Sequence, residues 1–209
     1  MHKKSREVFI SFIKYFYACI ALVIVAQLHG CAHSSDNGNS MQLFDGVSLS
    51  GWQSLGEANW FVSDGALIAV GAGDGFLVSD VRYANYRLDL EFWIDETSNS
   101  GVFVVCADSK TINPDTCFEA NIWDNHPNQQ ARTGAIVRRV MPPLAEVFTI
   151  GKWNSYQIIV SQNSVSCHVN GVLTAQLKQI DNAGGYIALQ HFNVGEVRFR
   201  NIRLSPLSE

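Results

Sequence analysis

Residues 86–95 alternate without interruption: Tyr86, Leu88, Leu90, Phe92 and Ile94 are apolar, while Arg87, Asp89, Glu91, Trp93 and Asp95 stand between them. A period of two places the sets on opposite faces of an extended strand, one for a core and one for water. Such a strand needs an antiparallel sheet covered on one side. The rest of the chain supplies partners. Residues 59–63 and 66–70 flank Asp64-Gly65, and 165–169 and 172–177 flank Asn170-Gly171, both strong hairpin signals. Further strands are read at 102–107, 117–125, 135–140 (halted by Pro142-Pro143), 153–160, 186–192 and 196–204. No amphipathic helix exceeds a turn or two. Ten to twelve strands in one unit imply an all-β fold of two packed antiparallel sheets, a sandwich or jelly roll, and the pattern alone fits a closed barrel equally well.

Lys3, Lys4, Arg6 and Lys14 precede an apolar run over 15–26 that is short for a bilayer span. Residues 1–30 read as a signal peptide, and Gly30-Cys31 resembles a bacterial lipobox with Cys31 as the lipidated residue; an uncleaved anchor is the rival. Both readings export the domain to the cell envelope. Residues 31–40 are polar and aperiodic, a flexible tether, and 41–209 form the domain. The leader holds four of the 15 basic and one of the 19 acidic residues, so the remainder balances 11 against 18. That surplus of acid argues against a nucleic-acid partner. Cys106 and Cys117 bracket a loop between two strands, and in an oxidising compartment they are candidates for a disulfide; inert buried thiols are the alternative.

The stretch Cys117-Phe-Glu-Ala-Asn-Ile-Trp-Asp-Asn125 has two unlike faces. Phe118, Ala120 and Ile122 share one; Glu119, Asn121 and Trp123 share the other, a carboxylate, a carboxamide and an indole suited to a polyol. Glu119 and Asp124 do not form a glycosidase pair. Five positions on a strand span about 17 Å at ~3.4 Å each, and their parity differs, whereas paired glycosidase carboxyls lie roughly 5 to 10 Å apart.

An ordered series of motifs resembles the 3-keto-disaccharide hydrolase domain family. It includes Leu43-Phe44-Asp45-Gly46, Trp60-x-Val62-x-Asp64-Gly65, Asn99-Ser100-Gly101-Val102-Phe103, Phe118-Glu119-x-x-Ile122-x-Asp124-Asn125, Thr133-Gly134-Ala135-Ile136, Trp153-Asn154-x-Tyr156 and Gly185-Tyr186-Ile187-Ala188-Leu189-Gln190. The resemblance implies a concanavalin A-like two-sheet antiparallel jelly roll with a sugar site on its concave face. It also implies substrates oxidised to a ketone at C3, which a separate sugar 3-oxidase must supply. Three features depart from the family pattern. Asn121 replaces a frequent Gln, Arg138 and Arg139 follow Val137 where an aromatic is usual, and His191 stands one residue early.

A C3 ketone acidifies the C2 proton, so one base can start cleavage by elimination, followed by hydration. On this reading Glu119 is the base, His191 the proton donor, and Arg138 or Arg139 the group that stabilises the enolate. Asn99, Asn121, Trp123, Asp124 and Gln190 hold the sugar. No organic cofactor is implied; a divalent metal stays open. Structural alternatives stand beside these roles. Glu119 can pair with Arg198 or Arg200, strand parity sets His191 with Ile187 and Leu189, and Asp124 can serve a turn. A non-catalytic carbohydrate-binding module is the alternative function.

Overall fold

The computed structural model describes residues 40–181 and 183–208. The expected leader, Cys31 and all of the tether but Ser40 lie outside them. In chain order the strands are β1 (Met41–Gln42), β2 (Trp52–Gly56), β3 (Trp60–Ser63), β4 (Ala66–Val70), β5 (Gly75–Ser79), β6 (Tyr86–Ile94) and β7 (Asn99–Cys106). They continue as β8 (Phe118–Ile122), β9 (Asn154–Ser161), β10 (Ser164–Val169), β11 (Val172–Lys178), β12 (Tyr186–Phe192) and β13 (Glu196–Pro206). A 3-10 turn spans Gln129–Ala131.

Every strand pairing is antiparallel, in two sheets. The larger runs β11-β10-β9-β6-β13-β4-β3 with β1 beside β13, and the smaller runs β2-β5-β12-β7-β8. The expected all-β antiparallel sandwich is thus the fold, and the barrel is not. The alternation on β6 does what its period requires: Tyr86, Leu88, Leu90, Phe92 and Ile94 are buried and the residues between them half-buried. They meet Leu77, Val102, Val104, Ala120, Ile122, Ile187 and Leu189 of the smaller sheet in one core. Each such apolar side chain contributes roughly 1.5–3 kcal/mol by leaving water. Cys167, the free cysteine among the described residues, is sealed in this core, and burial pushes its thiol up to about 12.

The arginines weighed as partners for Glu119 are committed elsewhere. Arg200 pairs with Glu91 at 2.5 Å and lies 3.9 Å over the Trp153 ring; Arg198 pairs with Glu196 and lies 5.0 Å over Trp93.

Two sequence expectations are corrected. Residues 135–140 are not a strand: Ile136 bridges Ala120 on one side and Val140 on the other, and Arg138 takes the left-handed φ of 61° that lets the segment fold back on itself. The strand expected over 117–125 ends at Ile122, because the Trp123 N–H donates to Thr133 Oγ1 at 2.8 Å and leaves the ladder.

Candidate active site

The register of the smaller sheet builds the site on the face turned away from the core. One row across the strands reads Leu55, Phe76, Gln190, Gly101, Asn121. The row on one side ends with Ala188, Phe103 and Glu119; the row on the other pairs Phe192 with Asn99 and leads to Trp123. At the centre sits Gly101, where a Cβ would come within 3.3 Å of Glu119 Oε1 and 3.4 Å of Glu119 Cγ. The missing side chain makes room for Glu119 to lie across the glycine. Glu119 in turn lines a pocket of about 500 Å³, within the usual range for a small-molecule site.

Loops raise the walls. The Cys106–Cys117 disulfide closes the loop between β7 and β8, and Ile112, Asn113 and Pro114 of that loop line the pocket. Asp115 at its end receives Arg138 Nη1 at 2.7 and 2.8 Å, which ties the loop to the 136–140 turn and to Val137 on the pocket wall. Opposite, the turn after β8 brings His126 against Trp123, ring centroids 4.2 Å apart, and both line the pocket.

Glu119 is 7 % exposed, and its carboxyl makes no hydrogen bond or ion pair among the described residues. Burial raises its carboxyl to about 7, and the Arg138 charge pulls the other way. A carboxyl so held is half ionised near neutrality and suits proton transfer. Asn99 and Gln190, which line the same pocket, also make no side-chain hydrogen bond among the described residues, and Gln190 Oε1 is buried without a partner. A buried amide oxygen without a partner is uncommon in native proteins; Gln190, like the half-buried Asn99, lines a cavity that a ligand can fill.

Of the residues expected at a sugar site, Glu119, Asn99, Asn121, Trp123 and Gln190 share this pocket. Asn121 is already engaged, since its Nδ2 donates to Ala131 O and its Oδ1 accepts the Ile122 N–H at 3.0 Å. Four expectations fail on geometry. His191 is 2 % exposed and shares the core-side parity of Ile187 and Leu189, with Nδ1 2.8 Å from Gly73 O and Nε2 3.2 Å from Gly195 O. It pins two turns and does not line the pocket. Asp124 is buried beneath the site and accepts from Thr149 N (2.6 Å), Thr149 Oγ1 (2.8 Å) and Ile150 N (3.3 Å). Arg138 and Arg139 are exposed and do not line the pocket; Arg138 reaches Glu119 only through its field.

His126, to which the sequence gives no role, is the residue that was missed. Its Nδ1 accepts the Asn128 N–H at 2.9 Å, so the neutral ring carries its proton on Nε2, and burial favours that neutral form. No local motif marks it; only the return of the chain after Trp123 brings it in. Among the described residues no three His, Cys, Asp or Glu side chains are grouped to hold a metal ion.

Residues 39–205 match the profile of the family described as the 3-keto-alpha-glucoside-1,2-lyase-like domain. A 3-keto-disaccharide hydrolase of Bacteroides thetaiotaomicron is 22 % identical over 153 residues, which cover 59 % of this chain and 53 % of that protein. The match therefore spans about half of that relative's length. Two solved structures from Parabacteroides distasonis, both described as candidate glycosyl hydrolases, share the fold. One is 20 % identical with a TM-score of 0.68, covering 81 % of this chain and 94 % of its own; the other is 25 % identical with a TM-score of 0.64, covering 75 % and 99 %.

Proposed function

The chain belongs to the 3-keto-alpha-glucoside-1,2-lyase-like domain family, and on that premise we propose that it cleaves glycosides whose sugar is already a ketone at C3, with Glu119 as the base. The observation that carries this reading is a buried carboxyl without a partner in a pocket also lined by the unengaged amides of Asn99 and Gln190.

The ketone makes the C2 proton acidic enough for a single carboxylate to remove. The electron pair moves to the C3 oxygen as an enolate, and its return expels the substituent oxygen from C1. Glu119, now protonated, gives its proton to that departing oxygen, which replaces the role first given to His191. Water then adds at C1 with a proton at C2, for net hydrolysis. Amide N–H groups of Asn99 and Gln190 and the His126 Nε2–H are the donors for the sugar oxygens and for the C3 oxygen as it gains charge. Trp123 offers its ring face to the apolar side of the sugar.

The oxidised substrate comes from a separate sugar 3-oxidase, since this chain has no Gly-rich dinucleotide fingerprint. Export, with a lipid on Cys31 holding the domain at the envelope, completes the proposal.

Turnover of 3-keto-trehalose against unoxidised trehalose is the test. The protein cleaves only the first, and Glu119→Gln lowers that rate by about 10² to 10⁴, the usual contribution of a general base. Binding of either sugar with no cleavage assigns the domain to non-catalytic carbohydrate binding instead.

A further inference from the structure

We infer that the same pocket carries an aglycone subsite built for a flat apolar group, so that its substrates are aryl 3-keto-glycosides in preference to disaccharides. This rests on the reading of the pocket as a 3-keto-glycoside site and goes further in naming the group attached at C1.

The two ends of the pocket differ in chemistry. Glu119, Asn99, Gln190 and His126 line the end over β12, β7, β8 and the turn that follows β8. Across Gln190 the same row continues to Phe76 and Leu55, at roughly 10 and 14 Å from Gly101 for strands about 4.8 Å apart. Phe76 stands edge-on to Phe103, centroids 5.4 Å apart, and Phe103 in turn faces Glu119 in the ladder. An apolar wall therefore runs from beneath the carboxyl out to the edge strand. Ile112 and Pro114 extend it on one side and Phe192 on the other.

Two polar side chains reach this end, each with one atom engaged: Asp74 Oδ1 accepts the Asn193 N–H at 2.7 Å, and Asn113 Oδ1 accepts the amides of Asp115 and Thr116 at 2.9 and 3.1 Å, which leaves Asp74 Oδ2 and Asn113 Nδ2 as the polar atoms free to meet a ligand. A second hexose would bring several hydroxyls against carbon surface, and buried hydroxyls without partners are costly. An aryl group brings none, and its face matches the ring edges and aliphatic groups that wait there.

Binding to the full chain carrying Glu119→Gln, in which cleavage is about 10² to 10⁴ times slower, is the test. Calorimetry with phenyl 3-keto-α-glucoside and with 3-keto-trehalose gives about ten-fold or tighter binding of the phenyl compound, the scale expected for burying one aromatic group. Adding Leu55→Ser, on an exposed edge strand, narrows that ratio to about two-fold by removing apolar wall. Equal or tighter binding of 3-keto-trehalose overturns the subsite, as does binding of neither. Turnover by the unaltered chain is scored separately: a clear phenyl preference in binding with cleavage of neither compound upholds the subsite and sinks the proposed reaction.

Discussion

Glu119 has opposite effects on activity and stability, and both are measurable. Its carboxyl stands at about 7 in the folded chain against an ordinary 4.5, with burial as the cause. The folded state therefore holds this proton more tightly than the unfolded state does. That contribution is complete below pH 4.5 and is lost as pH rises to about 7. At pH 8 the buried charge costs up to about 3 kcal/mol, so Glu119→Gln raises the melting temperature at pH 8 and leaves it nearly unchanged at pH 4. Over the same interval kcat/KM of the unaltered protein climbs with pH and levels off above about 7, since only the ionised base works. A profile flat from pH 5 to 8 removes Glu119 from the base role. Gly101 sets the carboxyl's position. Gly101→Ala places a methyl group 3.3 Å from Oε1; kcat/KM falls by about ten-fold or more, as misplaced catalytic groups do, with the melting temperature little changed. At this scale the sequence was partly legible. Strand parity put Glu119, Asn121 and Trp123 on one face and offered a core side for His191, but nothing local shows that Asn121 is held by Ala131 or that His126 swings back onto Trp123.

At the scale of elements, the pocket depends on β7, β8 and the loop their disulfide closes. Cys106 and Cys117 are 11 residues apart, and closing so short a loop stabilises the fold by roughly 3 kcal/mol in the chain-entropy model. Replacing both by Ala lowers the melting temperature. It also frees the wall formed by Ile112, Asn113 and Pro114, so KM for a 3-keto-glycoside rises more than kcat falls; steady-state kinetics beside a thermal melt separates the two effects. Which strands form was readable wherever alternation was long, as on β6 and β9. It was not readable for β2 and β5. Trp52-Gln-Ser-Leu-Gly56 carries two apolar residues in five, and Gly75-Phe-Leu-Val-Ser79 follows Gly71 and Gly73, so β5 is a strand because β12 lies beside it, and β2 because β5 does. That omission hid the apolar end of the pocket, since Leu55 and Phe76 sit on those two strands.

For the molecule as a whole, the two sheets divide the work. The larger supplies most of the core and covers its outer face with arginine, carboxylate and indole side chains; the smaller shares that core on one side and opens the pocket on the other. Alternation dictates two-faced sheets, which is why the sandwich was legible from the chain, while the order β2-β5-β12-β7-β8 rests on pairings between distant residues that no local pattern encodes. The central claim is that cleavage begins with removal of the C2 proton by Glu119. It is tested most directly with a 3-keto-α-glucoside carrying deuterium at C2. The account predicts a primary isotope effect on cleavage, a product with solvent hydrogen in place of the deuterium, and both cleavage and exchange slowed by about 10² to 10⁴ with Glu119→Gln. Cleavage that leaves the deuterium on C2 would contradict it.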